Sequence, residues 1–294
     1  MTGFDGGSTT RGPLTGFVPV GHVVLEESSG AACAVASWDG WLHLAWTGSD
    51  NRLNLLASAD GMAFTNKATL RHRSCRTEGG GESTHTVPMA PALAPSELGL
   101  IVGWTGTDRQ LNILQVGMPD DGNSIIPERS SRGPALTARG SELVVGWTGT
   151  DRRLNLVSAH QRGLLAPLTL GYTSSDSPAL VTVGEEVLMA WAGGDRRLNL
   201  LPVGAAAHGP PWFPGGYTNR RPALCTIGDD LVLAWRDPDR HLYLQTARGG
   251  VWGPPVGLPM TSAHGPSICC HRNNLVLAWT GSDRRINVML LRGA

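Results

Sequence analysis

The stretch WTGTDRRLNL, from Trp147 to Leu156, is written six times along this chain with small variations. The other copies are WTGSDNRLNL (46–55), WTGTDRQLNI (104–113), WAGGDRRLNL (191–200), WRDPDRHLYL (235–244) and WTGSDRRINV (279–288). Their tryptophans, Trp46, Trp104, Trp147, Trp191, Trp235 and Trp279, each close an apolar run, and after a first interval of 58 residues the spacings are 43, 44, 44 and 44. A second mark stands 13 residues ahead of five of them, at Pro91, Pro134, Pro178, Pro222 and Pro266, where the first repeat has Cys33. A fixed period of tens of residues is the signature of a repeat architecture and takes precedence over local readings.

Within one period, runs such as LVLAW and RLNLL alternate and are bounded by Gly, Asp and Pro, which predicts four short strands and almost no helix. Four strands in a unit of about 44 residues describe a propeller blade, and six units fall in the usual range. The expected fold is therefore all-β: a six-bladed β-propeller with four antiparallel strands per blade. The last repeat ends soon after its third strand, and the apolar segment from Phe17 to Leu25 is expected to complete that blade as its outer strand and close the ring. Residues 1–16 read as a flexible N-terminal tail and 17–294 as a single propeller domain.

Composition narrows the partners. Twenty-four basic and 24 acidic residues balance to a formal net charge of zero, which provides no electrostatic footprint for nucleic acid. No apolar run reaches the length of a membrane span, and the first residues lack the pattern of a signal peptide. The expectation is a cytoplasmic protein, or one exported by a non-classical route, with no nucleic-acid partner and no membrane insertion. Five cysteines without CxxC spacing argue against a disulfide framework and a zinc site, and no metal or cofactor is expected. Cys225 and Cys269 stand three residues after a blade proline, where a small apolar side chain packs and a thiol is inert.

If the proline-initiated strand is innermost, its entry segment and the WTGxD turn share one face, here termed the top. The tryptophans read as packing between blades. The aspartates Asp50, Asp108, Asp151, Asp195, Asp239 and Asp283 are placed to accept backbone N–H groups in their turns. Asparagine recurs four residues later (Asn54, Asn112, Asn155, Asn199, Asn287), and a buried amide there requires a partner, either a neighbouring blade or a ligand. Arginines crowd the same turns. The candidate ligand-binding set is Asp108, Arg109, Asp151, Arg153, Asp195 and Arg197, joined by the asymmetric top-face groups Tyr172, Tyr217, Arg221 and His264. Aromatic faces and planar donors of this kind suit vicinal hydroxyls and also suit a carboxylate.

Regularity breaks once. The interval from Trp46 to Pro91 is 45 residues, against 30 or 31 from tryptophan to the next blade proline elsewhere, and the excess falls in RHRSCRTEGGGESTHT, residues 71–86. This segment is expected to be a top-face loop, either a flexible insertion or a lid whose acids and bases would serve catalysis. Its candidates are His72, Cys75, Glu78, Glu82 and His85.

At the AWTGxDxRLN phrase the chain resembles bacterial β-propeller lectins and the sialidase-like Asp-box repeat proteins. Ser58-Ala59-Asp60-Gly61 followed by Phe64 is similar to a degenerate Asp-box, which in that family builds a turn and carries no catalysis. The resemblance implies the propeller fold and a carbohydrate or other small polar ligand. A sialidase would need an arginine triad and a tyrosine–glutamate pair, and apart from Tyr217 and Arg221 the sequence offers no such set. Two functions are carried forward. One is a lectin-like protein with several repeated top-face sites. The other is an enzyme, a glycosidase, lyase or natural-product tailoring catalyst, with one site at the top of the axial channel under the 71–86 loop and with His72, Glu78, His85, Tyr217 and Arg221 as its candidate groups. The sequence leaves the oligomeric state open.

Overall fold

The computed structural model describes residues 14, 16–80, 83–119, 121–160, 163–203 and 210–293. Among these, every regular element is a strand. Six antiparallel sheets form the six blades of a propeller, each with its inner strand at the axis: Ala34–Trp38, Ala92–Ser96, Ala135–Arg139, Ala179–Val183, Ala223–Ile227 and Ser267–His271. The strand bearing the repeated tryptophan lies second and the RLNL strand third. In the sixth blade the outer strand is Phe17–Ser28, antiparallel to Arg285–Gly293, with Phe17 opposite Gly293 and Val24 opposite Asn287. The proposed tail, 1–16, lies outside the described residues except for Leu14 and Gly16; the Thr246 hydroxyl donates to the Leu14 carbonyl.

The core is six slabs between neighbouring blades. Trp191 joins Val144, Leu154 and Leu156 of the third blade, and Trp235 joins Ala179, Leu188 and Leu198 of the fourth. Trp46 of the first blade packs with Val276, Ala278 and Ile286 of the sixth, so the same slab recurs where the chain's two ends meet. All six tryptophans are at most 3% exposed. Burial of an indole of about 150–250 Å² removes a large apolar surface from water, which accounts for one tryptophan in every period.

The WTGxD turn explains its own spelling. Asp50, Asp108, Asp151, Asp195 and Asp283 each accept, through Oδ1, the N–H of the residue two positions on, at 3.0–3.1 Å. The intervening residue is left-handed, with φ of 63° at Asn51, 69° at Arg109 and Arg152, and 66° at Arg196 and Arg284. In the fifth blade Asp237 replaces Asp239 in the capping role, accepting the His241 N–H at 2.8 Å. Each recurring asparagine donates to the carbonyl two residues earlier, and Asn54, Asn112 and Asn155 accept from their own blade's outer segment, for example Thr69 Oγ1 onto Asn54 Oδ1 at 2.7 Å and Thr169 Oγ1 onto Asn155 Oδ1 at 2.7 Å. In these three blades the amide ties the third strand to the outer segment of its own blade, where the sequence suggests bridging between blades or ligand contact.

Two further expectations are corrected. Among the described residues the fourth blade has three strands, and its outer place is taken by residues 210–217, which meet the third strand at the isolated bridges Leu200–Trp212 and Arg197–Tyr217. Pro210, Pro211 and Pro214 have no N–H to offer a ladder. The 71–86 segment is no loop: Arg71–Arg73 finish the first blade's outer strand, and Cys75–Gly80 pairs with Ser83–Pro88 as a β-hairpin.

The turn glycine is fixed by crowding. A Cβ at Gly149 would lie 2.6 Å from Asp151 Oδ1 and 3.0 Å from Asn155 Nδ2, whereas one at Gly194 would meet nothing within 4 Å. Gly149→Ala is expected to lower unfolding stability by about 1–3 kcal/mol through overpacking, and Gly194→Ala to leave it nearly unchanged. Urea denaturation of both variants checks this contrast.

Candidate functional site

Between the outer strand of one blade and the inner strand of the next, the chain passes through an elbow on the top face. Each elbow begins with a buried hydroxyl: Ser29, Ser74, Ser130, Ser174, Thr218 or Ser262. Its backbone N–H donates to the carbonyl of the preceding blade's left-handed turn residue, as in Ser130 to Arg109 and Ser174 to Arg152, at 2.9 and 3.0 Å. In five elbows the hydroxyl also accepts the N–H two residues on, at 3.0–3.3 Å. Four blades then lock the elbow from the side, where the threonine after the tryptophan donates to it: Thr47 to the Met89 carbonyl, Thr105 to Arg132, Thr148 to Asp176 and Thr280 to Ala31, at 2.6–2.8 Å.

This frame delivers one side chain per blade to the mouth of the axis: Ala31, Met89, Arg132, Asp176, Arg220 and His264. The next position in the six elbows holds Ala32, Ala90, Gly133, Ser177, Arg221 and Gly265. Five are small and one is arginine. Arg221 is 8% exposed, and its Nη1 donates across to the Pro91 carbonyl at 3.3 Å. A Cβ at Gly265 would fall 2.2 Å from the Arg221 carbonyl oxygen, so the neighbouring elbow is shaped around this residue. Below it lies a cavity of about 60 Å³ lined by the first two residues of all six inner strands.

Positive charge gathers at this mouth. Arg236, 4% exposed, donates Nη1 to the Ala263 carbonyl at 3.1 Å, and Arg132 Nε donates to the Ser175 carbonyl at 2.7 Å. Burial, followed by repulsion from Arg220, pushes His264 down to about 4, so it is neutral near pH 7. Burial likewise depresses Arg221, and the Asp176 carboxylate opposes the shift. The thiols are as inert as expected: burial pushes Cys33 up to about 12 and raises Cys75, Cys225 and Cys269.

Of the other sequence candidates, the Asp and Arg pairs form a second, repeated arrangement around the rim. Asp50, Asp151 and Asp195 face Arg52, Arg153 and Arg197 at 3.8, 3.8 and 3.5 Å, with all six side chains exposed. Asp108 is capped in the same way by Gln110, and Arg109 is half-buried. Arg197 stands across from Tyr217, which is 52% exposed, while Tyr172 packs at a tilt of 38° on Trp191 with centroids 5.2 Å apart.

Of the candidate catalytic groups, Glu78 and His85 meet directly. Glu78 and His85 oppose each other on the hairpin, Oε2 to Nε2 at 3.8 Å, and Arg76 holds Glu78 through Nε at 2.6 Å. His72 packs on Trp104 at 4.7 Å. Among the described residues neither Tyr217 nor Arg221 makes a hydrogen bond or ion pair with Glu78 or His85. Glu82 lies outside the described residues. Arg76 Nη1 pins the hairpin to the Ser131 carbonyl at 2.5 Å. The Ser58–Gly61 turn is closed by Asp60 Oδ1, which accepts the Met62 and Ala63 N–H groups at 2.8 Å; these bonds and the Ser58 hydroxyl hold its carboxyl at about 2. Sequence reading missed Arg132 and Arg236, although aligning the residue two before each blade proline would have exposed the first.

Comparison with solved structures places the fold. A variant of AofleA from Arthrobotrys oligospora with three arginines changed to alanine superposes with a TM-score of 0.71 at 10% identity, covering 92% of this chain and 86% of that one. The fucose-specific lectin from Aleuria aurantia gives a TM-score of 0.60 at 9% identity over 92% of this chain and 98% of that one. The chain has the fold of β-propeller lectins. The BP39L lectin from Burkholderia pseudomallei agrees, with a TM-score of 0.64 at 14% identity over 90% of this chain and 82% of that one. No family model and no curated protein sequence matches the chain.

His264 yields a pH prediction. Its folded pKa lies below the ordinary 6.5, so an unfolded chain takes up a proton that the folded one refuses. Its contribution is complete above pH 6.5 and is lost as the pH falls toward 4, by about 1–3 kcal/mol. Urea midpoints at pH 7.5 and 4.5 are expected to fall less in His264→Gln than in the parent; equal falls would remove His264 as a cause.

Proposed function

We propose that the protein is a carbohydrate-binding, lectin-like propeller with several sites on its top rim. The observation that carries this reading is the Asp195, Arg197 and Tyr217 group. A carboxylate, a guanidinium and an exposed aromatic face meet at one turn, and donors and acceptors of this kind fit vicinal hydroxyls while the ring covers an apolar C–H surface. Arg153 with Asp151 repeats the polar half on the third blade, with Tyr172 on the adjoining outer strand, and Arg52 with Asp50 repeats it on the first. Solved structures of the same fold lend support, since a single-substitution mutant of the Aleuria aurantia lectin has been captured with α-methyl-L-fucoside. The ligand class proposed is a neutral sugar such as a fucoside. We further propose that the protein works without a metal or cofactor and in the cytoplasm or after non-classical export.

Repeated weak sites gain through multivalency. Calorimetry with a monovalent fucoside and a screen on an immobilised glycan array are expected to show more than one site per chain. Tyr217→Ala, Arg197→Ala and Arg153→Ala each reduce array binding several-fold without abolishing it, and the triple variant reduces it further. One site per chain, or binding indifferent to all three, contradicts the rim reading.

A further inference from the structure

We propose that the axial mouth is a separate anion site in which Arg221 receives one carboxylate per chain. The guanidinium is buried, yet among the described residues no carboxylate lies within ion-pair distance of it, and Nε has no hydrogen-bond partner at all. The nearest candidate is already committed: Asp176 accepts the Ser177 N–H through Oδ1 at 2.8 Å and the Arg221 backbone N–H through Oδ2 at 3.1 Å. Arginine does not escape burial by losing its proton, so a buried guanidinium calls for an anion. An unmade hydrogen bond in such a place is costly, and an intramolecular partner would have been an easy solution for a purely structural residue.

Space and field agree with this. The cavity of about 60 Å³ beside Arg221 exceeds the roughly 10–15 Å³ that one water needs. Its walls are alanine, valine, leucine, isoleucine and a single serine, so the guanidinium is its one charged group. Above it, Arg76, Arg132, Arg220, Arg236, Arg240 and Arg284 act on the mouth, against Asp176, Glu78 and Asp237. That surplus attracts an anion and low dielectric strengthens its pairing. A carboxylate suits the free Nε edge because its two oxygens match the spacing of guanidinium N–H groups. Arg221 is unique among the six equivalent positions, so the stoichiometry is one, unlike that of the rim.

The carboxylate arrives either free or carried on an acidic sugar, and two probes separate these sources. Purified full-length protein is titrated by calorimetry with acetate, with methyl glucuronide and with methyl glucoside as the neutral control. Saturable one-to-one binding of acetate, lost at least ten-fold in Arg221→Met and retained in part in Arg221→Lys, supports a free small carboxylate. Binding of the glucuronide alone, with the same dependence on Arg221, supports an acidic sugar. Absence of binding by both acids, or binding unchanged in Arg221→Met, overturns the proposal. Should the variants fail to fold, crystals of the parent soaked in bromide decide: an anomalous peak within hydrogen-bonding distance of Arg221 Nε supports the site, and an empty position overturns it. Fucoside binding at the rim is expected to be the same in Arg221→Met, so the two readings fail independently.

Discussion

A single hydrogen-bonded knot holds the ring in register. An aspartate oxygen caps the WTGxD turn, the cap drives the following residue into a left-handed conformation, and that residue's carbonyl receives the N–H of the elbow hydroxyl residue leading into the next blade. Left-handed backbone costs an ordinary L-residue some free energy, which the shared hydrogen bonds offset. Each turn thereby fixes the start of the adjoining blade, and the threonine beside the tryptophan adds a second tether in four of the six blades. The tryptophan slabs supply most of the apolar burial, but they are nondirectional. The knot determines where each inner strand begins, and hence which side chains reach the axis.

The repeat was legible because it is written in chemistry that the fold needs. Tryptophan, glycine, aspartate and asparagine recur since each is locked to the others: carboxylate and amide pack over the glycine, and the indole closes the slab. The departures were less legible. Proline at 210, 211 and 214 announced weak pairing in the fourth blade, yet its neighbours' pattern concealed that signal. The segment at 71–86 looked like a loop because its glycines and charges lack strand alternation, and only Ser74 and Met89, hydrogen-bonded across its base, reveal it as a hairpin set into an elbow. Asparagine at the third strand was misassigned because sequence spacing gives a residue's blade position and leaves open which neighbour its amide meets.

The two prospective sites differ in how sequence encodes them. The rim uses groups that the fold already requires, so a sequence reader finds it readily and has difficulty separating structure from recognition. Arg153 and Arg197 are exposed, while the aspartates beside them are partly engaged in the turn. The axial mouth has the opposite character. Nothing in a single elbow marks Arg221, but six aligned elbows show one arginine among alanine, glycine and serine, and the structure adds that its side chain is buried with Nε unpartnered. Symmetry here acts as the background against which one residue becomes informative.

The hairpin at 75–88 has a wider consequence. It occupies the place of the single residue that separates the hydroxyl from the mouth position in the other five elbows, and Ser74 still donates to the Met89 carbonyl at 3.0 Å as if nothing had been added. An elbow clamped at both ends is thus a port for new sequence: material can enter there without disturbing the hydrogen bonds on either side. The chain contains six such ports in a circle around one axis, of which it has filled one. A scaffold of this kind can acquire single-copy features over its axis one insertion at a time while the ring beneath remains repetitive.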